Sequence, residues 1–115
     1  MLDIDVEDDP PVRTVRLVGD LDASTAGQYR EATAYLWPNG HLVIELSRLS
    51  FLDSAGLGAL IGSIRRAREV GGDVALCCPR PSVARLLATT GFDRMVTVAS
   101  SADEARSRLA ADPAA

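Results

Sequence analysis

The chain has no lysine, one histidine and two cysteines, and aromatic residues make up only 4% of it. Each scarcity removes a class of chemistry. Without lysine there is no Walker phosphate loop and no serine–lysine dyad. The lone histidine, His41, opens a predicted strand, where an edge or turn role suits it better than that of a catalytic base. The cysteines, Cys77 and Cys78, are neighbours on another predicted strand. Adjacent strand residues point to opposite faces, so a disulfide between them would be strained. They also lack the C-x-x-C spacing of zinc or redox sites, and read as two small residues of a buried strand. No run approaches the ~20 apolar residues of a membrane span. The start, Met1 to Asp5, is acidic and alternating, unlike the basic start of a signal peptide. The expected setting is the reducing cytoplasm.

Sixteen acids against twelve arginines give a net charge of -4. Such a chain repels phosphate backbones and anionic lipid, so neither nucleic acid nor membrane is an expected partner. What is present is apolar: 47% hydrophobic residues over 115 positions, enough for one globular domain, 1–115, with a single core.

Leu2, Ile4 and Val6 alternate with acids, and residues 13–18 alternate again after the turn-forming Asp8-Asp9-Pro10-Pro11. Residues 2–7 and 13–18 are therefore expected to form an antiparallel hairpin. A helix is predicted from Ser24 to Leu36, capped by Asp22 or Ser24 and stopped by Pro38-Asn39-Gly40. His41 to Leu46 reads as a strand and Ser47 to Phe51 as a loop. A second helix runs from the Asp53-Ser54 region to about Val70, closed by Gly71-Gly72. Asp73 to Cys77 is a strand, Pro81 to Thr90 a helix stopped by Gly91, and Val96 to Ala99 a short strand. Ser101 and Glu104 have capping-box spacing before a last helix, with 110–115 a frayed tail. The fold class is α/β, one mixed sheet of four to five strands with helices packed on it.

On the second helix, Leu57, Leu60, Ile61, Ile64 and Ala67 form the stripe expected to face the sheet. Gly58 and Gly62 share a flank, near Arg65 and Glu69, with Ala55 and Ala59 close by. Each interior glycine costs about 1 kcal/mol against alanine, which implies either close approach of a neighbouring segment or an exposed surface kept free of side chains. Asp53 or Ser54 must cap the helix, and Leu49, Phe51 and Leu52 are expected to anchor its start against the core.

Three chemistries could use Ser54. A nucleophile needs a base and an elbow, but Leu52 stands where the first glycine of G-x-S-x-G belongs. A phosphate cradle needs G-x-G-x-x-G, whereas the glycines at 56, 58 and 62 are out of register. A modified serine remains. A phosphoryl group at a helix N-terminus is stabilised by about 0.3–1 kcal/mol or more, while its roughly 1.5–2 negative charges would repel a closely docked partner.

The stretch LSRLSFLDSAGLGALIGSIRRAREVGGDVALCCPRPSVARLLATTGF, with GDLDASTA at residues 19–26, resembles the STAS domain family, specifically the bacterial anti-sigma factor antagonists, over roughly residues 4–109. The resemblance implies a binding protein without catalysis, cofactor or metal. It implies that Ser54 is phosphorylated by an anti-sigma factor that is also a serine kinase, that the unphosphorylated form binds this kinase, and that a serine phosphatase resets the cycle. By the same analogy the docking surface comprises Asp20, Asp22, Asp53, Ser54, Ala55, Gly56, Gly58 and Gly62, with Asp20 and Asp22 near Ser54. Ala55 stands where the family often has a second serine, leaving Ser54 as the acceptor, with Ser50 and Ser63 the nearest substitutes. STAS domains also serve as scaffold or transporter subunits, in which Ser54 would only cap its helix.

Overall fold

A computed structural model describes residues 1–36 and 40–111. Its elements are β1 (Leu2–Asp9), β2 (Val12–Leu21), α1 (Ala26–Ala34), β3 (His41–Leu52), α2 (Ser54–Glu69), β4 (Val74–Cys77), α3 (Pro81–Thr89), β5 (Thr97–Ala99) and α4 (Ala102–Ala111), with a 3-10 turn at Phe92–Arg94. The strands lie in the order β1-β2-β3-β4-β5. The β1–β2 pair is antiparallel, as the hairpin reading expects, and every later pair is parallel. This is the expected mixed sheet, with five strands.

The sheet is covered on both faces. Val15, Leu17, Leu42, Ile44, Leu46 and Leu76 pack with Tyr29 of α1, Leu60 and Ile64 of α2 and Leu87 of α3. On the other face Val12, Val43, Ala75, Cys77 and Ala99 meet Ala105 and Leu109 of α4. Burial on both faces explains why strands β3 and β4 read as continuous apolar runs.

Five expectations need correction. Residues 47–51 are strand, not loop: β3 continues to Leu52, because it takes up one extra residue opposite Arg16–Val18 and another opposite Gly19–Asp20, which lets pairing persist to Leu21 opposite Leu52. Leu49 and Leu52 are buried, but Phe51 is 51% exposed and does not anchor the helix. Neither Asp22 nor Ser24 caps α1. Thr25 occupies the cap position without a side-chain bond, since the Asp22 carboxylate is engaged within its own turn by the Ser24 N–H (2.9 Å) and hydroxyl (2.6 Å). The expected stop residues Pro38 and Asn39, and the tail beyond Ala111, lie outside the described residues.

The buried side of α2 is also turned from the expected stripe. Gly56, Ala59, Leu60, Ser63, Ile64 and Ala67 are buried, while Leu57 and Ile61 are only partly covered. The cause is Tyr29, fully buried between α1 and α2, whose hydroxyl meets the Ser63 hydroxyl at 2.7 Å. Finally, Cys78 lies past the end of β4 with a φ of 58°, so the two cysteines do not alternate across a strand.

Candidate functional site

The site begins with the cap of α2. Asp53 is extended, with φ −112° and ψ −173°, and its side chain accepts the Gly56 N–H at 2.9 Å. The sequence left this cap open between Asp53 and Ser54, and Asp53 fills it. Ser54 is thereby released to the first helical position, where it is exposed. Among the described residues no hydrogen bond engages its hydroxyl. A hydroxyl at the positive end of a sixteen-residue helix, free of structural duty, is chemically available.

The parallel pairing of β2 with β3 brings a second segment alongside. Asp20 is opposite Phe51 and Leu21 opposite Leu52. The Asp53 N–H points to the Leu21 carbonyl at 3.4 Å, and its second carboxylate oxygen accepts the Ala23 N–H at 3.3 Å. The end of β2 and the turn carrying Asp22 thus sit against the start of α2, while the Asp20 carboxylate pairs with the Met1 ammonium at 3.7 Å. Asp22 is fixed by Ser24 and Thr25, and the Ser24 hydroxyl, chief among these bonds, holds its carboxyl below the ordinary value. That residue stays anionic.

Gly56 explains how the two segments come so close. A Cβ there would collide with the Leu21 carbonyl oxygen and the Leu52 side chain, so only glycine lets α2 start at this spot. It is buried and lies beneath the surface, unlike the partner contact expected of it. Gly58 and Gly62 behave differently. A Cβ at either meets nothing within 4 Å. Close approach within the fold is therefore not what places glycine there, and with half-buried Ala55 they leave a flank almost free of side chains. Phe51 was missed as a surface residue. It borders a groove of about 300 Å³ with Ser50, Leu52, Ser82, Val83 and Leu86. The three-residue spacing of buried Leu49 and Leu52 is the signal that could have put Phe51 outside.

Other residues are kept apart. His41 sits at the opposite end of β3, where its Nδ1 accepts the Asp73 N–H at 3.1 Å. Ser54 therefore has no histidine base. Ser63 is buried against Tyr29, whereas Ser50 is exposed. Among the described residues no helix is long and apolar enough to cross a membrane.

A model of the STAS domain matches residues 3–105. The chain belongs to the STAS family. An anti-sigma F factor antagonist of Paenibacillus polymyxa is 33% identical over 100 residues, covering 84% of this chain and 86% of that protein. A crystal structure of an anti-sigma factor antagonist from Mycobacterium paratuberculosis superposes with a TM-score of 0.85 at 26% identity, covering 96% and 95% of the two chains. The Bacillus protein SpoIIAA in its unphosphorylated form gives 0.80 at 24% identity, over 96% of this STAS chain and 98% of its own, a likeness of fold.

Proposed function

We propose that this STAS protein is an anti-sigma factor antagonist switched by phosphorylation at Ser54. The unphosphorylated chain binds an anti-sigma factor that is also a serine kinase. The kinase transfers a phosphoryl group to Ser54, the phosphorylated chain dissociates, and a serine phosphatase restores it. Release of the kinase from its sigma factor would place the protein in transcription control, in the cytoplasm, as a binding protein without catalysis of its own.

One observation carries the reading: Asp53 caps α2, leaving Ser54 exposed at a helix start beside a flank with open space around Gly58 and Gly62. A partner can approach that flank closely, with Asp22 and Asp53 at its edge and Ala55, Gly58 and Gly62 beneath it, while Asp20 lies at the end of β2 with its carboxylate 3.7 Å from the Met1 ammonium. A phosphoryl group would be tolerated by the helix N-terminus but would add charge beside Asp53 and the Asp22 turn. Close docking would then meet repulsion and a desolvation cost. The names of the relatives agree with this role. A constitutive scaffold or transporter subunit, in which Ser54 serves only as a cap, has less support because the cap is already Asp53.

The test is capture from the source cell's lysate with wild-type and Ser54→Asp baits, read by mass spectrometry. A kinase-type anti-sigma factor retained by wild type and lost by Ser54→Asp is the expected result. Identical partners on both baits would overturn the switch.

A further inference from the structure

Away from Ser54, the α4 side of the sheet brings three ligating groups together. Glu45 on β3 is in register with Cys77 on β4. The next residue, Cys78, has a φ of 58°, uncommon for a residue other than glycine, asparagine or aspartate. In an extended strand its sulfur would point away from that of Cys77. Here the two sulfurs and a Glu45 carboxylate oxygen all lie within 4.8 Å of one another.

The surroundings suit a cation. The Glu45 carboxylate accepts the Ser47 N–H at 2.7 Å, which fixes its orientation. Arg16, its register partner on β2, gives its guanidinium to Asp5 and Glu7 instead. Among the described residues no ion pair involves Glu45. Both cysteines are free thiols. Cys77 is buried under α4, while half-buried Cys78 points its sulfur at the Ser100 carbonyl, 3.4 Å away, and leaves a route in from solvent. Two thiolates on one zinc-sized ion, each about 2.3 Å from it, sit about 3.5–4 Å apart.

We propose that Cys77, Cys78 and Glu45 form a binding site for a thiophilic divalent cation of the zinc class. Two sulfurs and one carboxylate oxygen supply three ligands, and water takes the fourth position of a tetrahedral ion. On binding, each thiol gives its proton to solvent and its electron pair to the metal. Two protons leave, and nothing is oxidised or reduced.

Cadmium is the probe, because sulfur-to-cadmium charge transfer absorbs in the ultraviolet. The reduced, metal-stripped full chain is titrated with Cd²⁺ while particle size is followed, and Zn²⁺ is then added as competitor. One cadmium per chain, unchanged particle size and displacement by zinc are expected. Cys78→Ala should lose about half of the band and bind at least 100-fold more weakly. Glu45→Gln should keep the band and bind at least tenfold more weakly. Cys77→Ser alters a buried residue, so the two more exposed variants carry the test. No band at one equivalent, a cadmium shared between two chains, or wild-type affinity in both variants would overturn the site.

Discussion

Asp53 and Ala23, thirty residues apart in sequence, are joined by a hydrogen bond of 3.3 Å from the Ala23 N–H to a carboxylate oxygen of Asp53. The other oxygen of the same carboxylate holds the Gly56 N–H. One side chain thus caps α2 and ties the Asp22–Ala23 turn to it. In the proposed switch, that tie keeps the acidic edge and the phosphoacceptor in fixed relation.

Asp53→Ala is expected to cost about 1 kcal/mol, the usual value of an N-cap, and to loosen the turn at Ala23. Ser54→Ala, at an exposed residue whose hydroxyl has no partner among the described residues, should stay within about 0.5 kcal/mol of wild type. Urea unfolding of both variants makes the comparison. Equal losses would mean that Ser54 shares the cap.

The glycines of α2 should separate into two kinds. Gly56→Ala forces a methyl group into the Leu21 carbonyl and should destabilise by about 1–3 kcal/mol, as overpacking does. Gly58→Ala and Gly62→Ala have open space and should stabilise by up to about 1 kcal/mol. Gly58→Leu should leave circular dichroism unchanged and weaken kinase binding. Unchanged affinity would remove that flank from the interface.

Much of this arrangement could be read from the sequence, because it rests on local signals. The alternation of β1 and β2, the apolar runs of β3 and β4 and the glycine stops of α2 and α3 all declare themselves within a few residues. The extension of β3 to Leu52 could not be read, since its two bulges break the strand's own alternation and are defined only by pairing with β2, a distant segment. Nor could the rotation of α2, set by Tyr29 reaching Ser63 across 34 residues. At the site, the start of α2 at Asp53 and Ser54 was legible, whereas the approach of the Asp22 turn was only implied by the family resemblance. The cap assignment, the buried role of Gly56 and the exposure of Phe51 each required knowing which strand lies alongside.

Ser63→Ala tests the buried pair. Removing its hydroxyl strands the Tyr29 phenol inside the core, which should cost about 1–3 kcal/mol. The double variant with Tyr29→Phe should recover part of that loss, because neither polar group then remains. Strict additivity in a thermal or urea double-mutant cycle would mean that the bond contributes nothing.

Burial raises the Tyr29 hydroxyl from its ordinary 10.0 to about 12, against the opposing pull of the Ser63 bond. The folded chain therefore holds this proton more tightly than the unfolded chain. That contribution is fully present below the unfolded pKa of 10.0 and is lost as pH rises towards about 12. Tyr29→Phe should flatten the fall in urea midpoint across this interval. Some slope should persist from Cys77, whose thiol is also pushed up by burial. An unchanged slope in Tyr29→Phe would contradict the assignment to Tyr29.

The most direct test of the proposed switch is calorimetric titration of the kinase-type anti-sigma factor with two forms of this protein, unmodified and phosphorylated at Ser54 alone. The expected result is tight binding of the unmodified form and a loss of at least 100-fold on phosphorylation, with unchanged circular dichroism. Equal affinity of the two forms would contradict a phosphorylation switch at Ser54.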